Sequence, residues 1–392
     1  MKFKRIAAML LAGIIMTSSV SACSINKNAT VATMGQEEIS LGLVNFFCRY
    51  QQASMDDLYK QYMGEGVWNT SYSGDGTTMQ DEVKNTTMET IHEMYSLKAH
   101  MKEYHVELSD EEKNTIATTA KDFVAANSKE ALDEMGADQE LVEELLTLYT
   151  IKQKMYDAIA CEVDTNVSDE EANMRAYSYV QIDYNQYYDQ ATYSYVPYSE
   201  EEKAGFEQKA KDIEAALSQE QTLEDAVKAQ GLEVMTGTYD SSNDTLEEEF
   251  KKALDELTEG QTSALITTEN SYYFARIDAQ TDAEATETNR ENIIKERKDT
   301  HYNEVLQKWQ ENDGWKVDKK KLAKIKFDDY FTQIKESSET TETTEAPETT
   351  ETPETTEAPE TTEETETTEE LENDDSTEAD ENLETGDSDA DE

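Results

Sequence analysis

Proline occurs once outside the C-terminal tail, at Pro197, and histidine is confined to His92, His100, His105 and His301. These histidines show no zinc-type spacing, and His92-Glu93 is not followed by a second histidine one helical turn on. There is no phosphate-cradling glycine loop, nucleophile elbow or calcium loop; Asp240-Ser241-Ser242-Asn243-Asp244 reads as a polar turn. No metal and no cofactor is expected. Cysteine is limited to Cys23, Cys48 and Cys161. The last two lie 113 positions apart, without framework spacing. Closing so large a loop would contribute ~4–5 kcal/mol, but both sit beside apolar runs and read as small buried hydrophobes. Basic residues are scarce as well: 34 Lys and Arg against 88 Asp and Glu give a net charge of −54. That excludes nucleic acid or anionic lipid as the main partner. Finally, no apolar run reaches the ~20 residues that a membrane-spanning helix needs.

The apolar run over residues 6–16 is short and follows Lys2, Lys4 and Arg5, so residues 1–22 read as a targeting segment apart from the fold. It closes in Val20-Ser21-Ala22-Cys23, which resembles the bacterial lipobox. The resemblance makes Cys23 the lipidated first residue of the mature chain and a membrane the anchor. One acyl chain holds only marginally, so stable anchoring implies a multiply acylated cysteine.

Residues 24–166 read as a short strand around Val31, turned at Gly35, and then helices. Leu43, Val44, Phe46 and Phe47 mark the first, with Trp68 in a loop folded over it; a second runs from Met79 towards Tyr104. Ser109-Asp110-Glu111-Glu112 is a capping-box start, and Leu141 to Met155 form one broad apolar face of a helix over 139–160. Residues 167–281 read as a small α/β unit. It begins on a second Ser-Asp-Glu-Glu at Ser168, with a tyrosine-rich strand over 177–183 and two helical stretches. A Gly237-Thr238-Tyr239 turn, a helix carrying Phe250 and a strand over 271–277 complete it. Residues 282–335 hold a further amphipathic helix with Tyr302 and Trp309, and a short terminal element at Trp315. From residue 336 the chain is Thr/Glu/Pro repeats, with 25 acids and no Lys or Arg. So few apolar groups cannot offset an ordering entropy of ~1–2 kcal/mol per residue, and residues 336–392 read as a disordered acidic tail.

The opening strand and turn, the paired Ser-Asp-Glu-Glu segments and the order of elements after Ser168 resemble the PrsA/SurA-type extracytoplasmic foldases, with a divergent parvulin-like peptidyl-prolyl isomerase domain. The resemblance implies an α+β architecture: a discontinuous, mostly helical chaperone region (24–166 and 282–335) with the small parvulin-like domain (167–281) inserted. It implies unfolded or exported polypeptides as partners, and leaves a homodimer open. Position by position, Tyr179 and Tyr273 stand where the family has its two catalytic histidines. Phe250 and Leu246 match apolar substrate-pocket positions, and Thr268 a polar one nearby. Gly260-Gln261-Thr262-Ser263 matches a Gly-x-x-Ser turn, and Asp240 is the nearest candidate for the family's Asp or Cys. Isomerisation twists an amide across a barrier of ~18–20 kcal/mol, and an apolar cup favours the less dipolar twisted state. Replacement of both histidines leaves two readings, an isomerase and a non-catalytic holdase. A third is a surface adhesion or wall-spacer protein. The tyrosines of residues 184–198 read either as a surface for unfolded chains or as packing between regions.

Overall fold

The computed structural model describes residues 14–16, 25–240, 242 and 245–333. In chain order its first half holds β1 (Ile14–Met16), β2 (Thr30–Met34), β3 (Glu37–Ser40), α1 (Leu41–Met63), α2 (Met79–His100), α3 (Asp110–Ala126), α4 (Lys129–Met135) and α5 (Gln139–Ala160). Side-chain caps set the helix starts. Ser40 Oγ accepts from the Leu43 amide, Asp138 Oδ1 accepts from Leu141, and Ser109 with Glu112 closes a full capping box. Between α1 and α2, Trp68 is buried and stands edge-on to Phe327 at 5.1 Å. Phe46 meets Phe123 edge-on at 5.8 Å, joining α1 to α3 within the main apolar core.

The chain leaves this helical region after α5 and returns in α10 (Ala283–Gln310). Tyr302 of α10 packs with Leu97, Ile151, Met155 and Ile159 of α2 and α5. Two flat ring stacks extend the contact: His100 on Trp309 at 4.1 Å, and His92 on Trp315 at 4.3 Å. Next, β10 (Lys316–Val317) pairs antiparallel with β2. The fold is therefore α+β, with a helical region built from both sides of an inserted module.

The segment after α11 (Lys319–Leu322) is fixed by polar side chains of α1. Arg49, 1% exposed on its side chain, donates to the Lys326 carbonyl and to Glu134 Oε1 at 2.6 Å, and lies 4.9 Å over the Phe331 ring. Gln52 donates to the Asp329 carbonyl, and Asp56 accepts from the Phe331 amide. A charge that far from water persists only when paired, so this segment and α1 depend on each other.

The inserted module starts at α6 (Asp169–Ala172) and holds β4 (Arg175–Asp183), β5 (Gln186–Asp189), β6 (Ser194–Pro197), α7 (Glu200–Leu217), α8 (Leu223–Ala229), β7 (Met235–Tyr239), α9 (Glu248–Glu256), β8 (Ile266–Thr267) and β9 (Ser271–Ala279). Its antiparallel sheet runs β7-β4-β9-β8, with Tyr179 opposite Ala275 and Gln181 opposite Tyr273. Side chains alternate across a strand, so the two faces differ. Val180, Ile182 and Phe274 pack on α7 and α8, whereas Tyr177, Tyr273, Ala275 and Ile277 pack with Phe250 and Leu254 of α9.

Several expectations are corrected. Gly237 lies inside strand β7, not in a turn: a Cβ there would stand 2.7 Å from the Tyr177 ring, so the glycine makes room for a tyrosine. Ser168 caps the Glu171 amide, but the helix it starts has only four residues, and Glu171 pairs with Arg297 instead of closing a full box. A full box forms at Ser199 and Glu202. Cys48 is buried, its thiol pushed up to about 12 by burial, but Cys161 is exposed and neither is in a disulfide. The backbone of Ile14–Met16, in the stretch that the sequence reads as a targeting segment apart from the fold, pairs antiparallel with β11 (Phe331–Gln333). Cys23 and the tail over 336–392 lie outside the described residues.

Candidate functional site

Strand period and register place the family-matched residues together. Tyr179 sits on β4 and Tyr273 on β9, with side chains on the α9 face of the sheet. Helix α9 turns Phe250 onto that face, and Leu246, just before it, packs against the same cluster. The ring centroids of Tyr179 and Tyr273 are 6.4 Å apart, and Tyr179 and Phe250 are 5.8 Å apart. Phe250 and Tyr273 stack at 4.4 Å with 27° between planes. Phe250 is 3% exposed and Tyr273 6%, so their facing surfaces are spent on each other and leave no slot for a proline ring between them.

The Tyr273 hydroxyl donates to Glu247 Oε1 at 2.6 Å. Burial, and then the bond to Glu247, hold this phenol well above its ordinary range, so it stays a neutral donor at physiological pH. Its single proton is committed to a carboxylate, and the group is not free to polarise a substrate carbonyl. Tyr179 is half-buried, and its cross-strand neighbour on β7, Met235, is 40% exposed. The rim of the cluster is therefore Tyr179 and Met235, and its floor is closed.

Thr268 and Asp240 are placed differently. Thr268 Oγ1 donates to the Ser271 carbonyl and accepts from the Ser271 amide, both at 3.1 Å, closing the turn between β8 and β9. Asp240 Oδ1 accepts from the Ser242 amide and lines a separate cleft of about 690 Å³ with Glu170, Glu171, Arg297 and His301. The Gly260–Ser263 turn joins β9, where Ser263 Oγ accepts from the Ala275 amide. Sequence reasoning missed Tyr177, Met235 and Glu247. Tyr177 was available from the period of two, since it shares a face with Tyr179, and its ring lies 5.8 Å from Phe250. No sequence pattern marks Glu247, whose partner is 26 positions away. Arg175 anchors the far end of the cluster, donating to the Leu254 and Leu257 carbonyls at the end of α9 and to the Tyr239 hydroxyl.

Residues 181–290 match the family model described as the PPIC-type PPIASE domain. The chain carries a PPIC-type module. No curated protein sequence matches the chain. Among solved structures it is similar to the foldase protein PrsA of Lactococcus lactis, at 12% identity over 76% of this chain and 97% of that one, with a TM-score of 0.31. It is also similar to PrsA of Streptococcus pneumoniae, at 19% identity over 66% of this chain and 98% of that one (TM-score 0.25). A third likeness is to a SurA-like chaperone of Campylobacter jejuni, at 11% identity over 74% of this chain and 99% of that one (TM-score 0.26). Within the matched module Tyr179 and Tyr273 lie on the neighbouring strands β4 and β9, and the Tyr273 ring covers Phe250.

Proposed function

We propose that this chain is an extracytoplasmic folding factor, held to a membrane through a lipidated Cys23, that binds exported polypeptides and uses its PPIC-type module to grip them rather than to isomerise them. One observation carries the choice of grip over catalysis: Tyr273 covers Phe250 at 4.4 Å and donates its hydroxyl hydrogen bond to Glu247. An isomerase needs an open apolar cup and donors free to orient carbonyls. Here the cup is filled and the buried donor is occupied. The helical region, completed by α10 from beyond the module, supplies the frame on which a client would rest. The lipobox pattern ending in Cys23 supports the anchor and the location.

A protease-coupled assay on a proline peptide, run beside aggregation of an unfolded client, tests this reading. The expected result is suppressed aggregation with no acceleration of isomerisation. Acceleration that disappears in Phe250→Ala would restore the isomerase. Failure to suppress aggregation would favour the spacer reading, which rests on the tail's 25 acids without a base.

A further inference from the structure

The module carries an element that its sheet does not require. Strands β5 and β6 form a separate two-stranded ribbon, with Tyr187 opposite Val196 and Tyr188 opposite Tyr195. An isolated ribbon of this kind is marginal in water, and proteins avoid leaving large aromatic groups on one without use. Yet Tyr187, Tyr188, Tyr193 and Tyr195 are 42, 49, 80 and 66% exposed. Tyr188 and Tyr195 meet edge-on at 5.3 Å, making one solvent-facing aromatic step. Among the described residues no third strand pairs with either outer edge of the ribbon.

The ribbon is firmly mounted. At its base Tyr184 stacks on Tyr272 at 4.4 Å, and its hydroxyl donates to the Thr268 carbonyl at 2.9 Å. Asn185 donates to Asn270, while Tyr198 stands edge-on to Phe206 of α7 at 4.8 Å. The tip stores backbone strain: Tyr193 takes φ +50°, where glycine or asparagine is the cheaper residue. A bulky ring kept at that position, 80% exposed, contributes little to packing. Charge gives the surface a sign. Between Arg175 and Lys203 there is no Lys or Arg, whereas Asp183, Asp189, Glu200, Glu201 and Glu202 lie in that stretch.

We infer that the β5–β6 ribbon is a docking surface for an extended, lysine- or arginine-rich segment of a non-native polypeptide. An extended chain completes an open strand edge through its own backbone, whatever its sequence. Cationic side chains then lie over the tyrosine faces and beside the carboxylates. This deepens the folding-factor reading above and rests on it for the nature of the partner.

The test measures anisotropy of a fluorescein-labelled, unstructured lysine-rich peptide on the purified chain. A glutamate-rich peptide of equal length and a soluble chitin oligosaccharide serve as alternative probes. The lysine peptide is expected to bind, weakening with salt, and the other two are not. Tyr188→Ser/Tyr195→Ser is expected to weaken binding about tenfold. Tyr193→Gly relieves the strained backbone, so it is expected to fold at least as stably while binding more weakly. Equal binding by wild type and both variants would overturn the proposal, as would binding of the oligosaccharide in preference to the peptide. Aggregation suppression of an acidic client is read in parallel. Its retention in variants that have lost the peptide leaves the folding-factor reading intact and localises the loss to the ribbon. Its absence in the wild type, with peptide binding present, sinks that reading alone.

Discussion

Asp56 serves three donors with one carboxylate. Oδ1 accepts from Trp68 Nε1 at 2.6 Å, and Oδ2 accepts from the Phe331 amide at 2.7 Å and from Gln52 Nε2 at 3.3 Å. Asp56→Asn keeps one oxygen and turns an NH₂ towards donors that then have no acceptor. It is expected to cost about 1–3 kcal/mol, the penalty of buried unsatisfied donors, read as a lower urea midpoint with an unchanged slope. The same site sets a pH dependence. Burial pushes the Asp56 carboxyl up to about 6, against the hydrogen bonds and Arg49, which pull it down. Between its ordinary value and about 6 the folded state binds the proton more tightly than the unfolded chain. Stability contributed by this group therefore rises as pH falls through that window. The gap between wild type and Asp56→Asn is expected to widen from about pH 7 to about pH 4.5, measured by urea unfolding at each pH. A gap that stays level would show that the carboxyl is not raised.

For whole elements, what was legible in the sequence depended on how local the deciding contact is. Helix starts at Ser40, Ser109 and Asp138 are written within four residues, because a cap bonds the first turn that follows it. Helix α5 accordingly spans Gln139–Ala160, as its apolar face predicts. Strand β7 was not legible: Gly237 reads as a turn residue until the Tyr177 ring, sixty positions earlier, is seen to occupy the place of its side chain. Gly237→Ala is expected to destabilise the module by about 1–3 kcal/mol through overpacking, and Tyr177→Leu in the same chain to recover part of that loss. A thermal-melt double-mutant cycle measures it, and purely additive losses would place the strain elsewhere. The ribbon was hidden because Tyr193, not glycine or asparagine, takes the left-handed position at its tip. The candidate cluster was half legible. Family spacing brings Tyr179, Tyr273, Phe250 and Leu246 onto one face, while nothing local announces that Glu247 accepts the Tyr273 hydrogen bond. Nothing local marks Arg49, Gln52 and Asp56 as buried either, because the partners that enclose them lie 275 and 277 positions away.

For the molecule as a whole, the proposed processing and the fold meet at one strand pair. The backbone of Ile14–Met16 is paired with Phe331–Gln333, and on the lipoprotein reading proposed above, cleavage before Cys23 would remove it. If Cys23 becomes the first residue, β11 loses its partner while Asp56 still holds the Phe331 amide and Arg49 still lies over the Phe331 ring. The segment would then stay docked on α1 with its outer edge free. Metabolic labelling with a radioactive fatty acid is expected to mark the wild-type chain and to be lost in Cys23→Ser. That variant keeps its N-terminal segment where lipidation must precede cleavage, so it doubles as the uncleaved control. In hydrogen exchange the amide of Thr332, which faces the Ile14–Met16 strand because the neighbouring Phe331 amide faces Asp56, is expected to exchange about tenfold faster or more in the processed chain than in Cys23→Ser, because a strand edge without a partner opens at little cost. The Phe331 amide, whose acceptor is a side chain of α1, is expected to be equally protected in both. Equal exchange of each of these two amides in both chains would mean that the N-terminal pairing contributes nothing to holding β11. Faster exchange at Phe331 as well would mean that the α1 network depends on it.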